Sequence, residues 1–141
     1  MRFAITHLNY ISLIVVTVVG FLLGWLWYGP LFGKPWMAEM KISEEQMKAQ
    51  MAEKGMAGYM IKGLIFTLLS TFGLVVVLVS HGLPNWKHGA ACGMFIGVFV
   101  TSMRMLNAGV WENRSLKLQA INAGHEIVLF TLQGAIFGAW H

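Results

Sequence analysis

Charge of either sign is scarce in this 141-residue sequence, and aspartate is missing altogether. Only 11% of the residues are charged and 57% are hydrophobic, with a mean hydropathy of +0.63, whereas a soluble domain carries about 25% charged residues. A soluble domain of this size could not bury so much apolar surface. The same scarcity excludes an intrinsically disordered chain and a charged nucleic-acid-binding protein. The composition therefore predicts an integral membrane protein with membrane lipids as partners and no nucleic-acid partner.

Cysteine is almost absent as well. Cys92 is the only one, so no disulfide can form within the chain, and its apolar surroundings are typical of a small buried side chain. The sequence also contains no phosphate-binding loop, nucleophile motif or metalloprotease motif. We therefore expect a protein without enzymatic activity, cofactor or metal.

Four apolar runs are long enough to cross a membrane, which takes about 20 residues. They lie at about 8–28, 59–80, 89–110 and 118–140. Helices are expected, because a lone spanning segment must satisfy its own backbone hydrogen bonds. The predicted fold is therefore all-α: a single transmembrane domain over residues 1–141 in which four helices form a bundle.

The one long connection, residues 29–58, holds eight of the sixteen charged residues. Within it, Ser43 can cap a helix, Gln46 can complete a capping box and Gly55 can end the helix. These signals predict a short helix at about 43–55. Methionines interleaved with its charges favour a position on the membrane surface.

Basic residues are unevenly distributed between the two sides of the predicted bundle. Six lie in the connections at 29–58 and 111–117 on one side, whereas only Arg2 and Lys87 lie on the other. Because Lys and Arg favour the cytoplasmic side, we expect both termini to be outside.

Aromatic residues cluster at the end of the first apolar run. Trp and Tyr side chains suit the headgroup boundary of a membrane. Pro30 is expected to stop the helix, and the neighbouring glycines permit a tight turn from which later aromatic side chains can fold back. We interpret the segment as an interfacial motif, with an aromatic ligand cage as the alternative. The motif comprises Trp25, Trp27, Tyr28, Pro30, Phe32 and Trp36.

This segment resembles the signature of a family of small bacterial membrane proteins, the domain-of-unknown-function family 1761. The family's Trp-Tyr-x-Pro-x-x-Phe-Gly-Lys pattern maps onto Trp27, Tyr28, Pro30, Phe32, Gly33 and Lys34, with one residue fewer between Pro30 and Phe32. The second half is similar from Glu112-Asn113-Arg114 through Ile121-Asn122-Ala123-Gly124 to Gly134 and Trp140. The resemblance implies four spans and a location in the bacterial inner membrane, and it implies no activity.

Two charged residues lie deep within the predicted spans. Measured from the same side, Arg104 is about 10 Å and Glu126 about 13 Å deep, at about 1.5 Å per residue. Since each charge alone would cost about 2.5–3.5 kcal/mol, we expect the two to form an ion pair between adjacent helices. Asn107 shares the helix face of Arg104, and Asn122 that of Glu126. These four residues are the candidate binding site, with the aromatic motif at a similar depth.

The histidines are weaker candidates. His125 adjoins Glu126 but points about 80° from the centre of the polar stripe, so we interpret it as a packing residue, with haem ligation as a minor alternative. The others fall on the predicted outer side, where separate interfacial positions are favoured over a shared metal. They are His7, His81, His88 and His141.

Two functions fit the sequence. In the first, the protein self-associates or serves as an accessory subunit of a membrane assembly, because Gly20-x-x-x-Gly24 and Gly93-x-x-x-Gly97 allow close contacts between helices. The Arg104–Glu126 pair then only fixes the register of the helices. In the second, the protein is a small transporter or binds a lipid or another hydrophobic ligand, and the same pair belongs to its binding site.

Overall fold

A computed structural model of the chain describes residues 9–82 and 85–140. Six helices and no strand make up the secondary structure of this described part. In chain order they are α1 (Tyr10–Leu31), α2 (Gly33–Met40), α3 (Glu44–Lys54), α4 (Met56–Ser80), α5 (Trp86–Trp111) and α6 (Leu116–Trp140). The all-α prediction is confirmed.

Helices α1, α4 and α5 are long and apolar enough to cross a membrane, with mean hydropathies of 2.1, 2.3 and 1.5. Their ends lie close to those of the first three predicted runs. Helix α6 has 25 residues, like α4, but it is not among the candidate spans because Gln, Asn, His and Glu side chains interrupt its apolar sequence. The fourth span, and with it the four-helix membrane bundle, stays a prediction.

The connection between α1 and α4 contains two helices, of which the sequence predicted one. The N–H of Gln46 donates to the Ser43 hydroxyl at 3.1 Å, and the Ser43 N–H donates to the Gln46 side chain at 2.9 Å. The helix that this capping box begins is α3, and it ends at Gly55 with a φ of +78°. The predicted helix is therefore present, while its position at a membrane surface stays a prediction. Helix α2 was not predicted.

Pro30 does not stop α1. The last five residues of the helix, Trp27–Leu31, form a π-helical turn that contains the proline. The N–H of Phe32 donates to the carbonyl of Trp27, five residues earlier, at 2.8 Å. The expectation was wrong because the wider π turn accommodates a residue that lacks an N–H and whose ring would clash in an α-helix. Helix α2 begins directly afterwards, at Gly33. The chain passes so close to the end of α1 there that a Cβ at Gly33 would lie only 2.7 Å from the Tyr28 carbonyl oxygen, so this position requires glycine.

Helix α6 packs against α1, α4 and α5 and carries buried residues on nearly all sides. Its closest neighbour is α5, because glycines bring the two backbones together. A Cβ at Gly89 would overlap the carbonyl oxygen of Gly134, and a Cβ at Gly93 would overlap that of Phe130. The small-residue surface of α5 is therefore occupied by a helix of the same chain.

A second π-helical segment, Ile96–Ser102, changes the register of α5. The buried face advances by four residues from Gly93 to Gly97, and then by five to Ser102. The Ser102 hydroxyl lies 2.7 Å from the Gly97 carbonyl and 3.2 Å from that of Ala123 on α6. Residues beyond this segment therefore lie on different faces from those that regular α-helical spacing predicts.

A buried amide joins three of the long helices. Gln133 of α6 is fully buried, and its Nε2 donates to the Thr71 hydroxyl of α4 at 2.7 Å. The same nitrogen lies 3.4 Å from the carbonyl oxygen of Val16 on α1. These bonds position α1 and α4 on one side of α6.

Contacts at the two ends show which helix termini lie together. Asn9, before α1, donates to the carbonyl of Trp140 at the end of α6, at 3.3 Å. At the opposite end, the Ser115 hydroxyl donates to Glu39 of α2, and the Lys117 ammonium lies 3.6 Å from the same carboxylate. The 29–58 and 111–117 connections therefore meet at one end of the structure.

Candidate functional site

The π turn of α1 directs two aromatic side chains onto α6. The Trp27 indole N–H donates to the carbonyl of Ile121 at 3.0 Å, and the Tyr28 hydroxyl donates to the Asn122 side chain at 3.1 Å. Gly124 makes room for the indole, since a Cβ there would lie 3.2 Å from its Cζ2 atom. The aromatic motif is thus held against the middle of α6.

His125 and Glu126 lie beside these aromatic side chains. The His125 Nδ1 atom is 3.2 Å from the Oε1 atom of Glu126. The imidazole is edge-on to Trp27, with ring centroids 6.0 Å apart, and 5.0 Å from the Tyr28 ring. Only 9% of His125 is exposed, so it is buried although the sequence placed it away from the polar stripe. His125 is buried outside the polar stripe because α6 contacts neighbouring helices on several sides.

The structure separates the four residues of the predicted polar cluster into two pairs. Arg104 and Asn107 are exposed, whereas Asn122 and Glu126 are partly buried near Tyr28. Within the described part of the chain, no ion pair joins Arg104 to Glu126, whose partner is His125 instead. The predicted ion pair is wrong because the π segment of α5 moves Arg104 off the face that packs on α6.

The other residues of the interfacial motif pack on each other. The rings of Trp27 and Phe32 lie 4.6 Å apart, and those of Tyr28 and Trp36 lie 5.7 Å apart. The later aromatic side chains therefore fold back on the end of α1. Trp25 differs, because it is 70% exposed and points to a groove.

This groove is an apolar cavity of about 780 Å³ between α1 and α4, with α6 as its floor and Met51 of α3 at one side. Only a few polar groups reach its surface. The lining from α1 and α4 includes Gly20, Phe21, Gly24, Trp25, Tyr59, Met60, Gly63 and Thr67. His125 and Leu129 contribute from α6. Glycines widen the groove, since Gly63 and Gly24 place no side chain in it.

His125, one of the residues that line this groove, carries a polar atom without a partner among the described residues. Its Nε2 atom is buried and has no hydrogen-bond partner among the described residues. A Cβ at Gly24 would lie 3.6 Å from Nε2, so α1 packs directly over this part of the imidazole. The sequence interpreted His125 as a packing residue, and the structure shows it buried with Nδ1 at 3.2 Å from Glu126.

No three His, Cys, Asp or Glu side chains in the described ranges are close enough to hold a metal ion. His81 and His88 are exposed. The two remaining histidines of the predicted outer side, His7 and His141, lie outside the described residues.

The model of one protein family, described as a protein of unknown function (DUF1761), matches residues 11–138. The chain belongs to this family. The match confirms the resemblance suggested by the aromatic motif, and it includes both the π turn of α1 and the His125–Glu126 pair. No curated protein and no solved structure matches the chain.

Proposed function

We propose that the chain is a multi-pass protein of the bacterial inner membrane that binds a lipid-like ligand in the groove between α1, α4 and α6, without catalysing a reaction. One observation carries the proposal: a large apolar groove is lined by His125, whose buried Nε2 atom has no partner among the described residues. Burying such a group without a partner costs free energy. A ligand with an apolar body would fill the groove and contact His125.

The dimensions of the groove suit this kind of ligand. Its volume of about 780 Å³ lies within the range of about 300–1,000 Å³ found for small-molecule sites. Leu22 and Met60 at its rim are 55% and 52% exposed. If α1 and α4 cross the membrane, these rim residues face lipid, so a ligand can enter from the bilayer without passing through water.

The membrane arrangement belongs to the proposal. We take α6 as the fourth span, since it equals α4 in length and directs many of its polar side chains towards its neighbours. The contact of Glu39 with Ser115 and Lys117 supports a common side for the two basic connections. By the positive-inside rule this side is cytoplasmic, and both termini are outside.

Ligand binding has more support than self-association. The case for self-association rested on the glycine faces of α1 and α5, and both of these faces pack on α6 of the same chain. A Cβ at Gly20 would lie 2.9 Å from Leu129, and a Cβ at Gly97 would lie 2.9 Å from Ile127. Association with further copies or with a larger membrane assembly stays a prediction, and these two glycine faces no longer support it.

The test compares two phenylalanine substitutions in the same helix. Gly63→Phe adds a ring inside the groove, where a Cβ already lies 3.4 Å from Phe21. Gly73→Phe adds the same ring where nothing described lies within 4 Å of the Cβ. The proteins are purified in mild detergent, and copurified lipids are quantified by native mass spectrometry.

We expect the wild type and Gly73→Phe to retain one lipid-like molecule per chain, and Gly63→Phe to lose it. Equal retention by both variants would place the bound molecule outside the groove. An empty wild type, after extraction in several mild detergents, would also contradict the proposal. Measuring the free energy of unfolding of both variants controls for a general loss of structure.

A further inference from the structure

A second cavity lies at the end of the structure where the 29–58 and 111–117 connections meet. We call it the loop cavity, because residues 39–41 form one of its walls and residues 113–115 form the other, with Leu118 of α6 also in its lining. Its volume is about 430 Å³. The groove is lined by no Asp, Glu, Lys or Arg, whereas the loop cavity is lined by charged side chains of both signs. A ligand of different chemistry is therefore expected there.

Both walls of the loop cavity are fixed by the same kind of backbone turn. Lys41 after α2 and Asn113 after α5 have φ angles of 56° and 53°, the left-handed conformation that commonly ends a helix. The N–H of Ile42 closes the first turn at 3.1 Å and that of Arg114 closes the second at 2.9 Å, each by donating to a carbonyl five residues earlier. Lys41 and Arg114 are therefore attached to backbone that is already in place before a ligand binds.

The side chains around the loop cavity leave a positive excess. Glu39 is compensated, because the Lys117 ammonium lies 3.6 Å from its carboxylate. Arg114 pairs with Glu112, and both of these side chains are about half exposed. Lys41 forms no ion pair with any described residue. Three basic side chains thus meet two acidic ones, and an anionic group in the cavity would compensate the remaining charge.

The position of the loop cavity suits a phosphate at a membrane surface. Helix α5 is a candidate span that ends at Trp111, directly before the residues that line the cavity. Trp111 and Leu116, on either side of Arg114 in the sequence, are 84% and 81% exposed. Exposed apolar side chains beside basic ones are expected where the headgroups of a membrane begin. A membrane surface at this end follows from the arrangement proposed above, and it does not depend on the ligand of the groove.

We propose that the loop cavity binds a phosphate group, with Lys41 and Arg114 as its cationic partners. Asn113 lines the same cavity and adds an amide that can donate a hydrogen bond. Basic pockets at the cytoplasmic ends of spanning helices bind anionic headgroups. Met40, which also lines the cavity and is 37% exposed, offers an apolar contact next to such a headgroup. A phospholipid or a soluble phosphate can supply the phosphate, and the two sources are separated by experiment.

The test compares two double variants of the full-length protein that lose the same charge. Lys41→Gln/Arg114→Gln removes both cationic partners. Lys48→Gln/Lys54→Gln removes two exposed lysines of α3, which do not line the loop cavity. Binding of phosphatidylglycerol and phosphatidylcholine with identical acyl chains is measured by native mass spectrometry in mild detergent. Binding of inorganic phosphate is measured by calorimetry in the same detergent.

We expect the wild type and Lys48→Gln/Lys54→Gln to bind phosphatidylglycerol more tightly than phosphatidylcholine. Lys41→Gln/Arg114→Gln should lose this preference, with an affinity for phosphatidylglycerol that falls about fivefold for each basic residue removed. Lys41→Arg/Arg114→Lys keeps both charges and should retain the preference, which controls for damage to the two turns. If the source is instead a soluble phosphate, inorganic phosphate binds with the same dependence on these residues and neither lipid is preferred.

Two results would overturn the assignment. An equal loss of phosphatidylglycerol binding in both double variants would show that net charge, and not the loop cavity, attracts the lipid. A wild type that neither prefers phosphatidylglycerol nor binds inorganic phosphate would leave the cavity without a ligand of this class. Gly63→Phe fills the groove and should keep the wild-type preference for phosphatidylglycerol, so failure of the groove and failure of the loop cavity are observed separately.

Discussion

The close contact between α5 and α6 predicts a large difference between two glycine-to-alanine substitutions. At Gly93 an added Cβ would overlap the carbonyl oxygen of Phe130, and it would lie 2.7 Å from that carbonyl carbon and 3.2 Å from the Cα of Thr131. All three atoms belong to the backbone of α6, so no side-chain rotation can relieve the overlap. The overlap with the carbonyl oxygen sets the movement, so the two helices must separate by more than about 1 Å to reach ordinary van der Waals contact.

Moving the helices apart affects the whole interface. Gly89 and Gly97 form similar backbone contacts one turn away on either side, so a gap at Gly93 also weakens their packing. Overpacking of this kind costs about 1–3 kcal/mol, and we expect Gly93→Ala to be at the upper end of that range. The control is Gly73→Ala in α4, where nothing described lies within 4 Å of the new Cβ. There, alanine should be neutral or stabilising by up to about 1 kcal/mol.

The assay is equilibrium unfolding in mixed micelles, followed by far-ultraviolet circular dichroism. The expected result is a free energy of unfolding for Gly93→Ala that is about 2–3 kcal/mol lower than for Gly73→Ala, because the gain from replacing a helical glycine is common to both variants and cancels. If the two variants unfold with the same free energy, α5 and α6 are not held at the backbone separation described here. That outcome would remove the explanation of why the α5 glycines are unavailable for contacts with other chains.

Three further outcomes follow from other contacts. Thr71→Val and Gln133→Leu should each lower the free energy of unfolding by about 1 kcal/mol. Because the two side chains share one hydrogen bond at 2.7 Å, the double variant should lose less than the sum of the two single losses. Additive losses would contradict this. Asn113, just after α5, has a φ of 53°. In the same unfolding assay, Asn113→Gly should keep the free energy of unfolding of the wild type, and Asn113→Val should lower it by about 1–2 kcal/mol. Equal free energies for the two variants would count against this turn. Arg104→Gln should not lower the free energy of unfolding or the amount of copurified lipid, since the Arg104 side chain is exposed and not paired with Glu126. A loss of stability as large as that of Glu126→Gln would restore the predicted ion pair.

The helices themselves were largely predictable because their signals are local. Apolar runs of about 20 residues correspond to α1, α4 and α5. Ser43, Gln46 and Gly55 marked the ends of α3, because capping depends on residues three or four positions apart in the sequence. Helix α2 was missed, since the prolines and glycines around it favoured a turn.

The two π-helical segments could not be predicted, and they account for the main errors. Helix-wheel reasoning assumes a constant rotation per residue, so one π segment displaces every face that follows it. Arg104 and Asn107 were assigned to the interior for this reason. Asn122 and Glu126 lie on the regular helix α6, where Asn122 accepts a hydrogen bond from Tyr28. The sequence does contain one sign of the π segment in α5. The small residues that contact α6 are spaced four apart from Gly89 to Gly97, and the next one, Ser102, follows after five.

His125 lies off the polar stripe and is nevertheless buried, which shows why a single polar stripe is a poor guide to a helix with neighbours on several sides. Most polar side chains of α6 have partners in the described structure: Gln119 donates to the Arg114 carbonyl at 3.0 Å, Asn122 accepts from Tyr28, and Gln133 donates to Thr71. These partners lie on different elements, so burial on α6 is not confined to one face. The same partners explain how a helix with so many polar residues can occupy the centre of an apolar protein. Two buried side-chain atoms of α6 remain without a partner in the described structure, His125 Nε2 and Gln133 Oε1, and of these two residues only His125 lines the groove.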